Sequence, residues 1–187
     1  MEARFDERRV LAAEIRATND EGILEGRAAP FNTWTPIGGV YLEQLTADTF
    51  RDSVTNGAGR KAPLLLAHAR DAFPVGKALA WDIREDGLHG TWQVDMGSDE
   101  GRQVYRLAKD GFISGLSVGF QPGSADEVDE SSEVPRVTRG PAALREVSVV
   151  PVAAYEEAQI TLTRSAGLRR AVDPRIAHYR ELFNIGG

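Results

Sequence analysis

One serine and one histidine carry the most pointed chemistry in this chain. Ser117 lies in Gly111-Phe112-Ile113-Ser114-Gly115-Leu116-Ser117-Val118-Gly119-Phe120, an apolar stretch broken by small residues, and His68 ends the apolar run Pro63-Leu64-Leu65-Leu66-Ala67. A serine hydroxyl attacks a carbonyl efficiently only when a neighbouring imidazole takes its proton, and glycines on either side let the carbonyl approach closely. Glu146 is a third candidate, in Leu144-Arg145-Glu146-Val147-Ser148-Val149-Val150, a stretch rich in β-branched residues. A carboxylate there either points to solvent or is buried with a partner, because a lone buried charge is too costly to persist. Buried, its natural partner is a histidine, which it would hold in the proton-accepting tautomer.

Other readings of the same residues compete. Gly115-Leu116-Ser117-Val118-Gly119 matches the G-x-S-x-G string of the α/β-hydrolases, but that fold puts the serine on a turn between strand and helix, with the histidine last in the chain. Here a helix is expected before the motif, a strand through it, and His68 upstream, so an esterase of that kind ranks last. On the residues alone, a small inward-facing residue in a packed strand accounts for Ser117 about as well as a nucleophile does. Ser114 is expected to open the strand, and Ser148 to face the same side as Glu146; both read as structural. His68, His89 and His178 show no i, i+4 pair and no H-E-x-x-H, so neither metal nor cofactor is expected. His89 reads as solvent-facing after a turn, and His178 as a helical surface residue.

These residues need a scaffold of suitable size. A chain of 187 residues, 42% hydrophobic and 27% charged, fits one well-buried domain. With 22 basic against 28 acidic residues the net charge of -6 offers no general footprint for nucleic acid. The absence of cysteine excludes disulfides, thiolate metal sites and a cysteine nucleophile, and fits a reducing compartment. The charged opening Met1-Glu2-Ala3-Arg4-Phe5-Asp6-Glu7-Arg8-Arg9, followed by a short interrupted apolar run, reads as neither signal peptide nor membrane span, hence as intracellular.

Patterning supplies the elements. Residues 10–16 and 22–29 read as an opening hairpin, and 40–45 as a further strand. Thr46 is expected to cap a short helix running through Phe50 and Val54 to Asn56-Gly57. Residues 63–67 suit a buried strand with His68 at its exit, and 75–83 and 88–94 form a hairpin around Arg84-Glu85-Asp86-Gly87. Ser98 caps a helix with Val104, Leu107 and Ala108 on one face, and Gly111 stops it. The acidic segment 123–135 reads as a solvated, mobile loop inserted between strands. Residues 142–152 and 158–162 are the last strands, and Asp173-Pro174 starts a C-terminal helix. Many short strands with two or three helices, in no regular alternation, predict an α+β, mainly β protein: a small, mostly antiparallel sheet or barrel surrounded by helices.

Taken in order, several segments resemble the prohead proteases of tailed bacteriophages, serine peptidases of capsid maturation distantly related to the herpesvirus assemblins. They are Leu24-Glu25-Gly26-Arg27-Ala28-Ala29-Pro30-Phe31-Asn32; Tyr41-Leu42-Glu43-Gln44-Leu45 with Phe50; Leu65-Leu66-Ala67-His68 with Val75-Gly76-Lys77; Asp86-Gly87-Leu88; Gly115-Leu116-Ser117-Val118-Gly119-Phe120; and the segment around Glu146. The resemblance implies that His68 is the general base, Ser117 the nucleophile and Glu146 the third member, in a protease domain spanning 1–163 with a helical tail at 164–187. It also implies an assemblin-like barrel that cleaves the scaffold or the delta segment of the major capsid protein, and itself, inside the procapsid in the host cytoplasm. No cofactor, nucleic acid or membrane enters that activity. The chain departs from the pattern after the histidine, where it has Ala69-Arg70-Asp71 rather than an immediate polar residue. It has neither the assemblins' second histidine near Glu146 nor an arginine at 151–154, which leaves backbone amides as the oxyanion donors. The rival from another class is a catalytically silent capsid-assembly or scaffolding protein with the same fold.

Overall fold

The computed structural model describes residues 7–11, 15–17, 22–56 and 59–150. Within these, the order is β1 (Glu7–Leu11), β2 (Ile15–Ala17), β3 (Ile23–Pro30), β4 (Thr35–Ile37), β5 (Tyr41–Gln44), α1 (Ala47–Thr55), a single 3-10 turn (Gly59–Lys61), β6 (Pro63–Leu66), β7 (Gly76–Arg84), β8 (Gly87–Val94), α2 (Asp99–Lys109), β9 (Gly115–Gln121), β10 (Glu127–Asp129), β11 (Arg136–Thr138) and β12 (Ala143–Val150). Eight strands form one sheet in the order β1-β9-β12-β6-β7-β8-β3-β2, and four form a smaller sheet, β10-β11-β5-β4. The large sheet curls into a half-barrel that brings β3 against β9.

The expected α+β, mainly β architecture is what the chain adopts. Most neighbours are antiparallel, but β12 runs parallel to β6 and β11 parallel to β5. The 10–16 segment is divided: Val10 and Leu11 end β1 and pair with β9, whereas Ile15–Ala17 pairs with β3. Both helices start where their caps predict. The Thr46 amide donates to Thr49 Oγ1 at 3.0 Å, and Ser98 Oγ accepts from the Gly101 amide at 3.1 Å. After α2 the chain turns at Gly111, whose φ of +75° lies in the left-handed region that glycine enters without strain.

Segment 123–135 is a correction. It contains β10, hydrogen-bonded to β11, and is fixed at its root by Asp126, whose carboxylate accepts from the Gly140 amide and from Arg139. Much of the segment is solvent-exposed, as its acidic composition suggested, but Asp126 is drawn to a buried guanidinium that composition cannot reveal. The strand at 158–162, the C-terminal helix, the 164–187 tail and His178 lie outside the described residues.

The core sits inside the curl. Leu116, Val118 and Phe120 of β9 join Leu144, Val147 and Val149 of β12 in it, together with Leu64, Trp92 and Phe50. Phe50 of α1 meets Phe120 edge-on, with centroids 5.5 Å apart and planes at 78°. Burying one such aromatic stabilises the fold by about 1.5–3 kcal/mol, so this contact clamps the strand that carries Ser117.

Candidate active site

Three adjacent strands build the site. β12 lies between β9 and β6, antiparallel to the first and parallel to the second. β9 carries Ser117, β12 carries Glu146, and the chain leaving β6 carries His68. With Leu116, Val118 and Phe120 given to the core, Ser117 and Gly119 face the other side of β9. Ser148 is the cross-strand neighbour of Ser117, and Glu146 that of Gly119. Directly opposed residues share a face, so Ser117, Glu146 and Ser148 lie on one surface of the sheet.

Glu146 reaches that surface because of a bulge. In a regular strand Leu144 and Glu146, two residues apart, would share a face. Here Leu144 opposes Phe120 and Glu146 opposes Gly119, consecutive positions of β9, and the pairing register shifts between them. The extra residue, Arg145, lets Leu144 point into the core while the carboxylate turns to the opposite side, a familiar use of a bulge beside a site.

Glu146 is buried, and its Oε1 lies 2.6 Å from His68 Nδ1. Its Oε2 accepts from Ser148 Oγ at 2.8 Å, and Ser148 Oγ in turn accepts from the His68 amide at 3.1 Å. An ionised carboxylate only accepts, so Nδ1 carries the proton of its hydrogen bond and Nε2 presents a lone pair. Nε2 is buried and has no hydrogen-bond partner among the described residues. His68 and Ser117 are therefore not hydrogen-bonded to each other, although both belong to the face that Glu146 and Ser148 define.

The histidine turn is strained. Ala67 and His68 have φ of 48° and 60°, left-handed values that cost an ordinary L-residue about 1–2 kcal/mol each. Hydrogen bonds hold the turn: the Ala67 amide donates to Val149 at 3.0 Å, the His68 amide to Ser148, and the Ala69 amide to Leu66 at 3.0 Å. Continuing as a strand would carry His68 past the end of the ladder; the left-handed pair swings it back over β12.

The sequence-predicted residues are thus sorted. His68 and Glu146 meet directly, and Ser117 shares their face, fully buried. Ser114 is exposed and precedes the strand by one residue. His89 lies apart, partly buried, with Nε2 2.9 Å from Asp86. A Cβ at Gly119 would run into Glu146 Oε1, so the missing side chain makes room for the carboxylate. Ser148, which read as structural, hydrogen-bonds both Glu146 and the His68 amide; its two-residue spacing from Glu146 places both on one face, as the sequence indicated.

A curled, mainly β sheet bearing a histidine–carboxylate pair on the face of a serine-bearing strand has the make-up of a serine peptidase. Residues 10–170 match the caudovirus prohead serine protease family, and the chain belongs to that family. It is accordingly a protease of capsid maturation, working within the assembling prohead. The fold is also that of the bacteriophage T4 capsid assembly protease, gp21, at a TM-score of 0.52 and 13% identity over 79% of this chain and 99% of that one. No curated protein matches the sequence.

Proposed function

We propose that Ser117, His68 and Glu146 act as nucleophile, general base and orienting carboxylate of a serine endopeptidase. The substrates are the scaffold or delta segment of the major capsid protein, and the protease itself, inside the procapsid in the host cytoplasm. One observation carries the reading: Glu146 holds Nδ1 of His68 at 2.6 Å while Nε2, buried and without a partner among the described residues, is left for a proton.

In that chemistry Nε2 takes the Ser117 proton as Oγ attacks the scissile carbonyl, and Glu146 stabilises the imidazolium that results. The tetrahedral intermediate collapses as His68 returns the proton to the leaving amine, giving an acyl-enzyme on Ser117. Water activated by the same imidazole then releases the second product. Ser117 and Nε2 are shielded from solvent, so an incoming peptide must part the packing above the strand before its carbonyl reaches the hydroxyl. The oxyanion donors in this reading are backbone amides.

The test is labelling with a serine-directed organophosphonate, followed by mass spectrometry, together with co-expression with the protein's own major capsid protein. A single adduct on Ser117, and capsid protein shortened by wild type but not by Ser117→Ala, is the expected result. An adduct elsewhere, or shortening by the variant, names another nucleophile. Particles that mature equally with either version would favour a silent scaffold.

A further inference from the structure

Ser148 is the fully buried residue directly across the ladder from Ser117, and its hydroxyl touches two other members of the site at once. We propose that Ser148 is a positioning residue for the same reaction, a latch that locks the Glu146 carboxylate to the turn bearing His68 so that the imidazole keeps its aim. The proposal rests on the reading of His68 as the general base.

The direction of each hydrogen bond is forced. A main-chain N–H can only donate, so Ser148 Oγ accepts from His68 at 3.1 Å. Its own proton is then given to Glu146 Oε2 at 2.8 Å, since a carboxylate only accepts. That arrangement excludes Ser148 as the nucleophile despite its place beside Ser117. Its proton is committed to a carboxylate rather than to an imidazole, and a lone pair is occupied.

Two degrees of freedom would otherwise be loose. The terminal torsion of a glutamate is broad, so one hydrogen bond at Oε1 leaves the carboxylate free to rock. Bonds at both oxygens fix its plane. The second freedom is that of the histidine's backbone, held at φ 60° where an L-residue resists staying. The amides of Ala67 and His68 are tethered to consecutive residues of β12, Val149 through its carbonyl and Ser148 through its side chain. β12 therefore supplies the carboxylate, the latch on that carboxylate and the anchor of the histidine turn. Glycine at position 119 leaves the space into which the latched carboxylate fits.

The experiment has two arms. In the Ser117→Ala background, where no turnover is needed, NMR of 15N-histidine-labelled protein follows the proton on His68 Nδ1. That proton should be far downfield and protected from exchange, and adding Ser148→Ala should shift it upfield and speed its exchange. In otherwise wild-type enzyme, acting on a short soluble peptide that carries a capsid-protein cleavage site, Ser148→Ala should lower kcat about ten- to hundredfold, with KM little changed, as expected for loss of a hydrogen bond to a charged group. A folded Ser148→Ala protein that keeps both the downfield proton and kcat would overturn the proposal. Should the alanine variant fail to fold, Ser148→Cys, close in size but a weak donor, takes its place with the same outcomes on either side. Full cleavage by His68→Ala would instead sink the underlying general-base reading, while the NMR arm still decides whether Ser148 holds the imidazole.

Discussion

Among the described residues, two buried charged networks join neighbouring strands, and they are finished differently. At the end of the smaller sheet, just past β11, Arg139, 1% exposed, donates to Glu43 from Nε at 2.5 Å, to Tyr41 Oη from Nη2 at 2.9 Å, and to Asp126 from Nη1. Its carbonyl accepts from Thr49 Oγ1 of α1 at 2.9 Å, and its amide donates to Gln44 at 2.9 Å. Each of the three guanidinium nitrogens is engaged, and the network joins β5, β11, the root of β10 and α1. The network on the large sheet is built as closely but ends on a ring nitrogen with no partner among the described residues, on a backbone held in the left-handed region and behind a bulge. A saturated network holds strands together; an unsaturated, strained one leaves a ring nitrogen open, the atom that the proposed mechanism uses as proton acceptor.

Substitutions can break that contrast, beginning with the largest effect. Ser117→Ala removes one oxygen from a packed strand, so the protein should fold while peptide cleavage falls by roughly 10⁴- to 10⁶-fold, measured on a short peptide. Glu146→Gln keeps the shape and loses the charge behind His68; turnover should fall by roughly 10³- to 10⁴-fold with an unchanged circular dichroism spectrum. Activity close to wild type would reduce the machinery to a Ser/His pair. Arg139→Met should do the reverse, costing about 3–5 kcal/mol in urea unfolding by stranding Glu43 and Asp126, while the folded fraction keeps its activity. If the folded fraction lost activity, the two networks would have to be treated as one. Gly119→Ala should push the carboxylate off its partners and cost roughly 100-fold in kcat, together with about 1–3 kcal/mol of stability for the buried charge it displaces.

The smallest effect lies at the hairpin turn. The hydrogen bond from His89, the largest influence, holds the Asp86 carboxyl below its ordinary value of 3.8. A depressed carboxyl stabilises the fold above its unfolded pKa and loses that contribution as pH falls through its folded one. Asp86→Asn should therefore cost no more than about 0.5 kcal/mol at neutral pH, and the difference from wild type should vanish as urea unfolding is followed to pH values well below 3.8.

Much of this was legible in the sequence because it is local. The caps Thr46 and Ser98, the stop at Gly111 and the acidic turn before β8 each place an element within a residue or two. Electrostatic reasoning paired Glu146 with a histidine because a buried carboxylate needs a partner. What stayed hidden was set by tertiary pairing. The bulge at Arg145 changes which face Glu146 takes, and nothing in Leu144-Arg145-Glu146 announces it. The left-handed pair Ala67-His68 has no glycine or asparagine to signal it. Asp126 looked like part of a solvated loop because its partner, Arg139, lies 13 residues away, just past β11. Gly119 looked like room for a substrate, and only the register with β12 shows that Glu146 occupies the space.

The place of β12 has a consequence for timing. His68 and Ser148 are 80 residues apart in sequence, and β6 and β9 share no ladder except through the strand between them. A chain still emerging from the ribosome, with its first 140 residues free to collapse, holds the histidine and the serine but neither the carboxylate nor the anchor of the turn. Contacts so distant in sequence form late, after the local hairpins. Under the proposed mechanism the last described strand is an arming pin in reverse: until it slides between its neighbours, the nascent chain has no means to cut what is being made beside it.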